Sequence, residues 1–150
     1  MKEILKPSGN MGGLLQMWAI PAGKFWLTKN VLVFAAPDEV VHIYCAMDSI
    51  QLSEPISVKA VGRTYDTTVS GFIPGNRQSV LDAIQDMDGK RFVILLLDGN
   101  GNYILAGTVF YPLQLLPETN LGKNTADLAG VYIEFNGITI TRSIIVDNPF

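Results

Sequence analysis

The side chains in this chain that could do chemistry are few, and their spacing argues for structural roles. His42 is the only histidine and Cys45 the only cysteine, and an imidazole activates a thiol only within hydrogen-bond reach. In an extended segment Val41, Ile43, Cys45 and Met47 share one face while His42 shares the other with Val40 and Tyr44, so the pair points apart. Asp98-Gly99-Asn100-Gly101-Asn102 alternates oxygen donors like a calcium loop. Its sixth position is Tyr103 where Gly is required, and its twelfth is Val109 where a bidentate Glu belongs. Asn and Gly tolerate the positive φ of a tight reversal, so this segment is expected to be a hairpin turn. Asp82, Asp86 and Asp88 could pair for acid–base work or hold magnesium, but at helical spacing they fall away from Val80 and Ile84 on a hydrated face. Trp18, Phe25, Trp26 and Tyr44 could stack on a sugar, yet they are spaced like strand residues filling a core.

The glycine-rich stretches at 9–13 and 99–101 lack the Lys-Ser/Thr of a phosphate loop and the third glycine of a dinucleotide loop. No Gly-x-Ser-x-Gly or His-Glu-x-x-His occurs. The expectation is therefore no enzyme: no catalytic residues, no cofactor and no metal site.

The elements that would position these residues are mostly strands. Leu14 to Ile20 reads as a strand stopped by Pro21, and Phe25 to Phe34 as one or two short strands before a Pro37-Asp38 turn. Val40 to Met47 is rich in β-branched and aromatic residues. Ile56-Ser57-Val58-Lys59-Ala60 alternates apolar and polar, the sign of a strand with one solvated face. Gly62 then offers a tight turn into Tyr65, Thr67, Val69 and Ile73.

From there the period changes. Val80, Leu81, Ile84 and Met87 recur at helical spacing, predicting one amphipathic helix over residues 77–88, with Ser79 and Asp82 as a capping box and Gly89 as its C-terminal stop. Phe92 to Leu97 has no polar alternation, which predicts a central strand covered on both faces. It reverses at Asp98 to Asn102 into Tyr103 to Phe110. Asn136-Gly137 is a strong hairpin signal that would set Phe135 opposite Ile138. Residues 112–129, with their Pro, Gly and Asn, read as an extended surface loop.

The fold class expected is mainly β (α+β): a β-sandwich or barrel with that single helix. The 150 residues form one β-rich domain behind a flexible N-terminal arm over about residues 1–12. Trp18, Ile84, Val93, Leu95, Ile133 and Phe135 are the core expected from this pattern.

Composition bounds the partners. Hydrophobic residues make up 48% and charged ones 17%, against about 25% charged in an average chain. A partner covering apolar surface would account for the difference. The net charge is −3, with six basic and six acidic residues in 1–75 and five and eight in 76–150. No basic cluster offers phosphate a footprint, so direct nucleic-acid contact is not expected. One cysteine excludes an intrachain disulfide. The N-terminus lacks the apolar run of a signal peptide and no aliphatic run could span a bilayer. The expected setting is a reducing compartment, without membrane contact and without export by a cleaved signal peptide.

Gly12-Gly13-Leu14-Leu15-Gln16-Met17-Trp18-Ala19-Ile20-Pro21, followed in the second half by Lys90-Arg91-Phe92-Val93-Ile94-Leu95-Leu96-Leu97-Asp98-Gly99-Asn100-Gly101-Asn102, resembles small structural proteins of Bacteroidetes phages and prophages. It is similar to the tail-tube-like and neck group, in which such a strand and hairpin bracket a β-rich domain. Ile94 here replaces the second Val of that pattern. The resemblance implies a non-enzymatic virion subunit of the tail or neck, a ring or tube homo-oligomer whose partners are itself and other virion proteins. It carries over no functional residue. The alternative is a monomeric or dimeric binding module for a carbohydrate or protein partner, using the aromatics and the 112–129 segment.

Overall fold

The computed structural model describes residues 13–75, 77–120 and 129–150, with side chains omitted for 117–120. The expected N-terminal arm, 1–12, lies outside the described residues. Among the described residues the chain is mainly β with one α-helix. Its strands are β1 (Leu14–Pro21), β2 (Phe25–Thr28), β3 (Val31–Phe34), β4 (Val41–Ile43), β5 (Gln51–Ser53), β6 (Ile56–Lys59) and β7 (Gly62–Pro74), then, after helix α1 (Gln78–Met87), β8 (Arg91–Asp98), β9 (Tyr103–Ala106), β10 (Leu113–Asn120), β11 (Gly130–Thr139) and β12 (Ile144–Val146).

Ten strands form one sheet, and β2 and β3 form a separate hairpin. The centre is β8, which holds the apolar run Phe92 to Leu97. β1 lies antiparallel along one edge, from Pro21↔Phe92 to Leu14↔Asp98. The other edge is shared by β9, at Ile94 to Leu97, and β10, at Arg91 and Phe92. Beyond them the order runs β10-β11-β7, and β5 and β6 divide the far edge of β7. The sheet curls: the chain leaving β4 crosses to β7, where the Ala46 N–H donates to the Phe72 carbonyl (2.8 Å) and the Phe72 N–H to Ser49 Oγ (3.2 Å).

The alternation of β1 and β8 separates two cores. Met17, Ala19, Phe92, Ile94 and Leu96 point to the inside of the curl, meeting Ile43, Val69, Ile73, Leu115, Ile133 and Phe135, with Ile84 and Met87 of α1 closing over them. Trp18, Ile20, Val93 and Leu95 point outward, under a cover made by Phe25 and Leu32 of the β2–β3 hairpin and Val146 of β12. Every side chain expected in the core is buried: Trp18, Ile84, Val93, Leu95, Ile133 and Phe135.

Four expectations are corrected. Asn136-Gly137 makes no hairpin, because β11 runs straight through it, with Asn136 opposite Thr68 and Gly137 opposite Thr67. Gly137 serves close approach instead: a Cβ there would lie 2.9 Å from both the Pro112 carbonyl oxygen and Leu113 Cδ2. Residues 112–129 are no simple loop, since β10 pairs with β11 from Gln114↔Asn136 to Asn120↔Gly130. Pro117 is tolerated because the other edge of β10 is paired to β8 only at Leu113 and Gln114. The remainder of that segment, 121–128, lies outside the described residues. The helix begins at Gln78 with Arg77 as N-cap and no side-chain cap, so the Ser79 capping box does not form, whereas Gly89 takes the positive φ (74°) expected beyond the C-terminus. The hairpin of β6 and β7 turns at Ala60-Val61, with Gly62 pairing to Lys59 as the first residue of β7.

Candidate functional site

The residues singled out for chemistry are dispersed. His42, on β4, stacks on Trp18 of the neighbouring strand at 5.0 Å between ring centres and 20° between planes. Cys45 points into the other core, where its Sγ lies 2.7 Å from the place a Cβ on Gly71 would occupy. Burial strips the thiol of the water that would stabilise a thiolate and pushes its pKa up to about 11. A thiol so held is protonated at neutral pH and lies in the inner core, whereas the imidazole packs on Trp18, which belongs to the outer one.

The Asp98 carboxylate is engaged by its own turn. Oδ1 accepts the N–H groups of Asn100 (2.9 Å) and Asn102 (2.8 Å), and Oδ2 accepts Asn102 Nδ2 (3.2 Å). Gly101 supplies the positive φ (83°), and Leu97 then pairs with Tyr103. Asp82, Asp86 and Asp88 are exposed, and Asp82 accepts a hydrogen bond from Gln78 one turn back (2.8 Å). Among the described residues no three His, Cys, Asp or Glu side chains are grouped to hold a metal. The aromatic set divides: Trp18 and Phe25 are core, while Trp26 and Tyr44 are exposed.

Two of the regions that the packing leaves available stand out. One is the β6–β7 hairpin. The apolar face of β6, Ile56 and Val58, is 45% and 73% exposed, and Val61 at the turn is 92% exposed. Along β6, pairing is to β7 alone among the described residues. In an antiparallel ladder closed at Lys59↔Gly62, alternate residues face the partner. Ile56 and Val58 therefore offer their N–H and C=O groups to the open side. The alternation was visible in the sequence, but a period of two says only which residues share a face.

The other region is a cleft of about 220 Å³ between α1 and the inside of the curled sheet. Ile73, Ile133 and Phe135 form its floor and Val80 and Ile84 its roof, with Arg77 and Ser79 at the rim. Helical spacing predicted which face of α1 would be buried. It carried no signal that the helix would bridge the sheet without filling the space beneath.

No helix among the described residues is long and apolar enough to cross a membrane. Comparison with family models, curated proteins and solved structures finds no match.

Proposed function

We propose that this chain is a non-enzymatic structural subunit that associates with further copies of itself, as a tail or neck component of a phage or prophage particle. The observation that carries self-association is the β6–β7 hairpin, an amphipathic strand with its apolar face in solvent and its backbone edge unpaired among the described residues. An open edge with apolar side chains is a template for strand addition, and natural proteins usually block such edges with charge, bulges or cover. The low charge of the chain fits the same reading, because a surface covered by neighbours needs fewer charges to stay dispersed.

The phage assignment rests on the resemblance of two segments that lie side by side in space as β1 and β8. Light scattering coupled to size exclusion across a concentration series, with negative-stain imaging, is expected to show rings or tubes. The double variant Val58→Ser, Val61→Ser is expected to stay monomeric with an unchanged melting temperature. A wild-type protein that remains strictly monomeric at high concentration sinks this reading.

A binding module for a carbohydrate or protein partner is the second reading, favoured by Trp26, which is exposed opposite Val33 on the outer face of the β2–β3 hairpin. Trp26→Ala would then abolish binding to a glycan or protein array without changing stability.

A further inference from the structure

We propose that the cleft under α1 binds a medium-chain aliphatic carboxylate, with its tail between helix and sheet and its head on Arg77. The inference does not depend on self-association. The cleft is walled by side chains of the inner core, Ile73, Ile133 and Phe135 from the sheet and Val80 and Ile84 from the helix, yet about 220 Å³ between them stays open. Protein interiors leave few voids larger than a water molecule. An apolar cavity of about 150 Å³ stays dry and holds a six-carbon ring, so an apolar space of this size favours an apolar guest over water and takes a chain of roughly six to eight carbons.

Charge selects the head group. Arg77 stands at the rim, exposed, and makes no ion pair or side-chain hydrogen bond with the described residues. Its planar guanidinium matches a carboxylate in two-point geometry, and the Ser79 hydroxyl on the same rim can donate a further hydrogen bond. The opposite flank of α1 has a second cleft, but its rim carries Asp38, Glu39 and Asp86 beside Lys90. An anion is repelled there and drawn to the Arg77 side. Arg77 is the only Lys or Arg among the lining residues, which also include His42, stacked on Trp18, and one guanidinium suits a monoanion better than a phosphate dianion.

The test is titration of the full chain with octanoate, followed by methyl-resolved NMR at Ile43, Ile73, Ile84 and Ile133. Saturable shifts at these methyls are expected, with butyrate binding at least tenfold more weakly. Arg77→Gln, at an exposed position without a partner among the described residues, should weaken octanoate at least fivefold and leave 1-octanol unchanged. Ala83→Phe, which adds bulk on a wall that the two clefts share, should weaken binding of both. Absence of saturable shifts at these methyls with millimolar octanoate overturns the site. Equal octanoate affinity in wild type and Arg77→Gln overturns the head-group assignment. Neither result depends on Ala83→Phe folding.

Discussion

Strands β8 and β6 make opposite use of their apolar residues. In β8 consecutive side chains go to different cores: Phe92, Ile94 and Leu96 inward, Val93 and Leu95 outward under the β2–β3 hairpin and β12. In β6 the apolar pair Ile56 and Val58 shares one face, and that face is in solvent. β8 is paired along both edges, whereas β6 is paired to β7 alone among the described residues, so the two differ in pairing as well as in cover. β8 sits mid-sheet, where other parts of the chain fold over it on both sides. β6 extends β7 past most of its pairing with β11, whose last partner there is Tyr65 opposite Thr139, and the described part of the chain brings no layer to it.

The strongest way to break this comparison is to truncate both faces of β8 separately. Leu95→Ala and Leu96→Ala should each cost about 2–5 kcal/mol in denaturant unfolding, although the residues are adjacent. If only one did, the two-core account would fail. Next comes Gly130→Ala on β11, where a Cβ would stand 2.3 Å from the Ile73 carbonyl oxygen and 2.5 Å from Phe72 Cζ. Backbone must shift to admit it, at a cost of roughly 1–3 kcal/mol.

Cys45 probes inner-core burial through pH. Its folded pKa of about 11 lies above the unfolded value of 9.0, so the unfolded chain loses its proton first. This contribution to stability is full below about pH 9 and declines up to about pH 11. Chemical denaturation of wild type and Cys45→Ala across that window should show a decline in wild type that the variant lacks. Iodoacetamide labelling near pH 8 should likewise be slow in the folded protein and fast in denaturant.

Asp98→Ala, which removes the acceptor for two turn amides, should cost about 1 kcal/mol, since these bonds are exposed. Smallest is Val58→Ser, expected to change monomer stability by less than about 0.5 kcal/mol. A large destabilisation there would mean that β6 is covered after all, and would remove the basis for placing the self-association surface on it.

How far the sequence could be read varied with the range of the interactions involved. The helix and the Asp98 hairpin were legible because their determinants are local: period, a following glycine, and a carboxylate reaching amides two and four residues on. Strand parity predicted that His42 and Cys45 point apart; the observed strand β4 stops at Ile43, and Cys45 enters the inner core beyond it. Asn136-Gly137 misled because a local turn preference competed with a long register on β7, from Gly130↔Pro74 to Thr139↔Tyr65, and the ladder prevailed. Residues 113–120 were hidden for a related reason: Pro117 and Asn120 argue against a strand, and only pairing with β11 overrides them.

By itself the sequence determined the mainly β class, the single helix, and which side chains seek burial, because these follow from backbone preference and the periods of two and 3.6. Tertiary structure alone decided which of those side chains obtain cover. It left Ile56 and Val58 in solvent, left space between α1 and the sheet, and set Arg77 at the rim of that space. Cover is a property of distant segments meeting, and no window of neighbouring residues encodes it.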